Sequence, residues 1–338
     1  MDKAAGHVAD LELPKLRTEG ALSHHTRAAR RLSMAAILAG LLALAGLDSA
    51  RAEPSVQGTY ALPDGTPKVT AVLTAAPESG LRRTLDIAMT PLGGTNPIQQ
   101  YDVELSKELH VIGVDSALRT FVHEHGDRPD PSGHFQVGIS FPHPGLWHIF
   151  ADAVPHRMGQ QVLRFDLPVG STPSSQAGPD LAPTGPVAAD GRYAVRLESL
   201  QLKSGQQATI QLHLLRDGKP APDVTPYLGV AAHAVFIAAA DLSYVHVHAA
   251  PAATQSMSSA HMQGDMTGMA HEHGTSGMAA SSGPMPMMEE MSPLAPGAHV
   301  EPDLVLHVTP PKPGDYVLWI QFMGDRRVRT VRFVIPAV

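Results

Sequence analysis

Cysteine is absent from the 338 residues. That absence removes disulfides, thiolate zinc sites, iron–sulfur clusters, cysteine nucleophiles and the cysteine-ligated blue-copper centre. Aromatic residues make up only 5% of the chain, whereas Gly and Pro number 30 each. Such a composition suits short strands joined by many turns better than long helices. An excess of positive charge is also lacking: 25 Lys+Arg stand against 32 Asp+Glu, a formal charge of −7. Nucleic acid is therefore disfavoured as a partner. Long apolar runs are confined to residues 32–47. What the chain does have in quantity is 19 His and 14 Met, both unevenly placed.

The beginning of the chain has the layout of an export signal. Arg27, Arg30 and Arg31 precede the apolar run 32–47, and Asp48, Ser49, Ala50, Arg51 and Ala52 follow it. A basic region, an apolar region and a small-x-small site predict a leader over 1–52, cleaved after Ala52, and a periplasmic or secreted protein. The remaining 286 residues carry 18 basic and 27 acidic side chains, a net −9. They contain no further apolar stretch long enough to span a membrane.

Beyond residue 52 the chain repeats itself once. His110, His123 and His125 form an H-x12-H-x-H pattern that returns as His233, His246 and His248, at a constant offset of 123. The segment Pro142, His143, Pro144, Gly145, Leu146, Trp147 returns as Pro311, Lys312, Pro313, Gly314, Asp315, Tyr316, at an offset of 169. The 46-residue difference predicts an insertion in the second copy. Residues 170–190 are rich in Pro, Ser, Ala and Gly without apolar periodicity, as in a linker. Apolar residues alternate with period two in Leu85, Ile87, Met89 and in Ile210, Leu212, Leu214, and Val328 to Ile335 closes the chain in the same way. About seven short strands in roughly 100–110 residues predict one antiparallel β-sandwich per copy. The expected architecture is all-β: a first sandwich over 56–169, the linker, and a second sandwich over 191–338 interrupted by an insertion at 249–300.

The paired His…HxH hairpins, the PxPG-aromatic strand entry, and Arg192-Tyr193-Ala194-Val195 with Asp217-Gly218-Lys219-Pro220 resemble bacterial secreted immunoglobulin-like or cupredoxin-like β-sandwich proteins of the YtkA/FixH-like type. The resemblance implies a metal-handling or membrane-export setting. Pro is expected after HxH in that group, whereas Gly126 and Ala249 stand here.

In each hairpin the spacing offers three imidazoles to one ion. A turn at 116–117 places His110 opposite His123, and His125 shares their face because it lies two residues on. A turn at 239–240 does the same for His233, His246 and His248. Imidazole suits Cu(II) and Zn(II) alike. The competing reading is structural, since Ile112 and Val114 share the face of His110, and Val235 and Ile237 that of His233. Those histidines would then seal the sandwich or a contact between domains. His143, His148, Asp152 and His156 are weaker candidates without counterparts in the second copy, which has Lys312, Val317 and Gln321 at the matching places of the first three.

The insertion carries a different chemistry. Met257, Met262, Met266, Met269, Met278, Met285, Met287, Met288 and Met291 fall within 35 residues, interleaved with His261, His271 and His273 and with no Lys or Arg. Thioether sulfur is a soft donor that favours Cu(I) and Ag(I) and needs no deprotonation. Gly, Ser, Ala and Pro between the methionines leave the segment too little apolar surface to fold alone. A low-complexity loop and a Met-rich adhesive surface are the bland alternatives.

The function expected from these features is a periplasmic or secreted copper-binding protein that buffers, confers resistance to, or delivers metal. Copper is the expected cofactor, with zinc or silver as substitutes, and a membrane transporter or metallochaperone is the partner to look for. The alternative is a non-metal sandwich module docking on a membrane export or assembly complex. A copper monooxygenase is a third class, but no GxSxG, HExxH or paired-carboxylate constellation supports an enzyme.

Overall fold

Alternate burial drives the long strands: Ile210, Leu212 and Leu214 are buried while Gln211 and His213 between them are not. A computed structural model describes residues 55–77, 79–170, 178–252 and 293–338. The expected leader, residues 171–177 of the linker and every methionine and histidine singled out between Met257 and Met291 lie outside the described residues.

The first half forms β1 (Ser55–Gln57), β2 (Thr59–Tyr60), β3 (Val69–Pro77), β4 (Arg82–Pro91), β5 (Tyr101–Asp102), β6 (Leu109–Asp115), β7 (Phe121–Gly126), β8 (His134–Ser140), β9 (Gly145–Pro155) and β10 (Gln161–Val169). The second forms β11 (Val187–Asp190), β12 (Tyr193–Leu197), β13 (Ala208–Arg216), β14 (Lys219–Pro220), β15 (Val224–Thr225), β16 (Ala232–Ala238), β17 (Tyr244–Pro251), β18 (Asp303–Val308), β19 (Gly314–Gly324) and β20 (Arg327–Ala337). One sheet of the first half has the order β1-β3-β4-β8; the other has β2-β10-β9-β6-β7, with β5 on β9. The second half repeats this plan as β11-β12-β13-β18 against β17-β16-β19-β20, with β15 on β19 and β14 on β13. Its two sheets are joined because β17 pairs with β16 and then, at Ala250 and Pro251, with β18. Both halves are immunoglobulin-like antiparallel sandwiches, and the protein is all-β.

Two boundaries differ from the sequence expectation. Val187–Asp190, counted there as linker, is strand β11, paired with β12. The insertion expected over 249–300 is narrower: β17 continues to Pro251, and Leu294 and Val300 donate backbone hydrogen bonds to Gly229 and Val224 of the second sandwich.

Each sandwich has its own core, around Trp147, Phe135 and Phe165 in the first and Phe236, Phe322 and Phe333 in the second. A third apolar cluster lies between them. Ile112, Val114, Phe150 and Val162 of the first sandwich meet Val235, Ile237, Tyr244, Val317 and Trp319 of the second. For this reason β6 and β16 are buried at all seven positions: one face fills the home core and the other presses on the neighbouring sandwich.

The contact is reciprocal, as a duplicated chain folded back on itself allows. Phe121 stacks on Trp319 at 5.4 Å between ring centroids, and Tyr244 stacks on Phe150 at 5.1 Å. Arg332 donates to the Leu118 carbonyl at 2.6 Å, and Arg164 to that of Asp241 at 3.3 Å. The linker joins in: Asp180 donates its N–H to the Ala117 carbonyl, and Thr184 accepts from the N–H of Val334. Truncating a buried aromatic of this size costs about 3–5 kcal/mol. Phe150→Ala is therefore expected to lower stability by that amount and to replace one calorimetric unfolding transition by two, whereas a single unchanged transition would mean that the sandwiches are not coupled through this cluster.

Candidate metal centre

The two histidine hairpins lie at one end of this contact. In β6–β7 the register pairs His110 with His125 and Ile112 with His123; in β16–β17 it pairs His233 with His248 and Val235 with His246. The expected pairings, His110 with His123 and His233 with His246, are thus displaced by two residues. The loops are the cause. Five residues separate the strands, with Leu118 (φ 53°) and Leu242 (φ 59°) in the left-handed region. Asp115 Oδ1 accepts the N–H groups of Arg119 and Thr120, and Asp241 Oδ1 accepts that of Ser243. An even displacement leaves each side chain on its original face, so the three imidazoles of each hairpin still converge.

One ring nitrogen from each of His110, His123 and His125 lies within 4.8 Å of the others, and the same holds for His233, His246 and His248. The outer nitrogens of four rings are fixed by acceptors. His110 Nε2 donates to the Glu104 carbonyl at 3.2 Å, and His233 Nε2 to the Tyr227 carbonyl at 3.1 Å. His123 Nδ1 donates to Gln321 Oε1 at 2.7 Å, the Gln321 amide nitrogen being turned to Thr330 Oγ1. His246 Nδ1 donates to Asp152 Oδ2 at 3.2 Å. A neutral imidazole has one N–H and one lone pair. With the proton outward in all four, lone pairs face each other: His110 Nδ1 and His123 Nε2 at 3.2 Å, His233 Nδ1 and His246 Nε2 at 3.3 Å. Two bare acceptors at that distance repel unless a cation lies between them. Tetrahedral ligands about 2.0–2.1 Å from one ion sit roughly 3.3–3.4 Å apart. The third ring of each triad adds a further sign, because His125 Nε2 and His248 Nε2 are buried without a hydrogen-bond partner.

The anchors cross between sandwiches. Asp152 is the register partner of His110 but accepts from His246; Gln321 is the register partner of His233 but accepts from His123. Asp152 is fully buried, and Tyr244 Oη and Gln160 Nε2 donate to it at 3.1 and 2.9 Å. Burial, more than any neighbour, holds all six imidazoles below the ordinary histidine range, with His125 at about 3 and His248 at about 4. The mutual repulsion of the rings adds to this in all but His110. Six uncharged imidazoles are in the form a metal ion requires.

The weaker candidates fall elsewhere. His143 bonds Thr120 Oγ1, His148 bonds Asp166 and His156 bonds Asp102, so none of the three joins the triads. Asp152 does belong to the site, as an anchor. Sequence reasoning passed over the Glu104 and Tyr227 carbonyls and Tyr244, and met Gln321 only as the counterpart of Asp152. The offset of 169 that pairs Asp152 with Gln321 was the available signal for those two anchors, whereas nothing in the side chains points to the carbonyls.

A family model described as a domain of unknown function (DUF8832) matches residues 187–338, the second sandwich with its insertion. No curated protein matches the chain in sequence. Among solved structures, that of invasin, a bacterial integrin-binding protein, is similar at 11% identity and a TM-score of 0.18. The match covers 83% of this chain and 38% of invasin's, so the chain spans well under half of that protein's length.

Acid should destabilise the metal-free protein through this cluster. Below pH about 6.5 the unfolded chain protonates these six histidines while the folded protein keeps them neutral, so stability present at neutral pH is lost as pH falls toward 4. Glu104, raised to about 7 by burial and by Asp152, and Asp152, raised by burial, act in the opposite sense but are two against six. Urea midpoints measured from pH 7.5 to 4.5 are expected to fall steadily; a flat or rising series would show that the imidazoles are not held neutral.

Proposed function

We propose that this is a periplasmic or secreted copper-binding protein whose two trihistidine sites hold Cu(II), or Zn(II) in its place, and whose methionine-rich segment takes Cu(I) or Ag(I). The observation that carries the reading is the pair of inward lone pairs in each triad, 3.2 and 3.3 Å apart in a setting that disfavours a proton. Neutral imidazole nitrogen is a common donor for both ions, and three such ligands leave a further position open. The resemblance to secreted sandwich proteins of the YtkA/FixH-like type fits the same role in buffering, resistance or delivery.

A substitution at His125 and His248 separates ligand from structural roles. Their Nε2 atoms bond to nothing, so His125→Leu with His248→Leu removes two ligands while leaving the fold intact or slightly firmer. The double variant is expected to lose at least 10-fold in Cu(II) affinity by calorimetric titration with unchanged or raised thermal stability. Unchanged affinity with lost stability would assign the histidines to packing. Replacing the nine methionines from Met257 to Met291 by leucine should abolish most Cu(I) uptake in a competition assay with a Cu(I) chelator; equal uptake would remove that segment from the account and favour the interaction-module alternative.

A further inference from the structure

The two triads are not separate sites that happen to share a chain. Rings within one triad lie 4.4–5.5 Å apart between centroids, and in the other 4.7–5.5 Å. Rings of different triads come almost as near: His110 to His246 at 5.6 Å, His123 to His233 at 5.9 Å and His110 to His233 at 6.2 Å. The inward lone pairs nevertheless define two foci, one inside each triad, so a single ion bound by all six rings does not fit. Resting on the metal-binding reading above, we infer that the six histidines form one two-metal centre astride the contact between the sandwiches, with one ligand of each ion oriented by the opposite sandwich.

Three features support this. Asp152 stands between the triads, in register with His110 and bonded to His246, so one buried carboxyl group serves both halves of the centre. Gln321 bonds His123 from the second sandwich as Asp152 bonds His246 from the first, so each triad depends on the other half of the chain for the orientation of one ring. Such outer partners fix the tautomer and orientation of a ligating imidazole, and losing one typically weakens metal affinity 10–100-fold. The rings of the two triads also come within 5.6–6.2 Å of each other, so an ion in one triad would feel the charge of an ion in the other.

Electron paramagnetic resonance of the Cu(II)-loaded full chain tests this, with His261, His271 and His273 replaced by alanine so that nitrogen from the insertion does not contribute. Two Cu(II) ions per chain should give a broadened spectrum with a half-field transition, the mark of two coupled spins. His125→Leu and His248→Leu, each disabling one triad at a ring with an unpartnered nitrogen, should each remove the half-field line and leave a simple one-copper spectrum. Two bound ions whose spectrum is the plain sum of the single-triad spectra would overturn the two-metal centre while leaving metal binding intact. Copper uptake no greater than that of the variant carrying both leucines would instead overturn the underlying metal reading, so the two failures are distinguishable.

Discussion

Two imidazole nitrogens held lone pair to lone pair constrain the rest of this structure. A backbone carbonyl, an amide oxygen and a carboxylate can only accept, so they turn the ring protons outward. Burial then keeps an additional proton from entering between His110 and His123 or between His233 and His246. Leaving such groups uncompensated in a dry contact is unfavourable. The apolar cluster around Phe150 and Trp319 offsets that cost and keeps the rings in place. A metal ion would turn the same geometry from a repulsion into a set of ligands.

Duplication explains how one short motif yields so elaborate a contact. Two copies that face each other make every useful interaction twice, in the way a two-fold interface does between identical subunits. Phe121 on Trp319 is answered by Tyr244 on Phe150, and Arg332 on Leu118 by Arg164 on Asp241. The copies have since diverged where the symmetry matters most. Asp152 on one side corresponds to Gln321 on the other, so one imidazole leans on a carboxylate and its counterpart on an amide.

Much of this was legible in the sequence, because period-two alternation and a repeated His pattern survive without any alignment. The all-β class and the two triads follow from them. The register did not follow, since an Asp-capped five-residue loop moved the pairing by two positions, and only the even size of that shift kept the three rings together. Sequence also could not show that Ile112 and Val114 face another sandwich rather than their own core, because an apolar face does not name its partner. The carbonyls of Glu104 and Tyr227 are invisible to any reading of side chains. The role of Asp152 was hidden by distance, 94 residues from the histidine it orients.

The account rests on the protonation pattern of six imidazoles, and nitrogen-15 NMR of the metal-free protein at neutral pH reads that pattern directly. The spectra should show no imidazolium among the six, with His110 and His233 protonated at Nε2 and His123 and His246 at Nδ1. A proton on His110 Nδ1 or His123 Nε2, or on either of their counterparts in the second hairpin, would make the facing pairs ordinary hydrogen bonds and contradict the account.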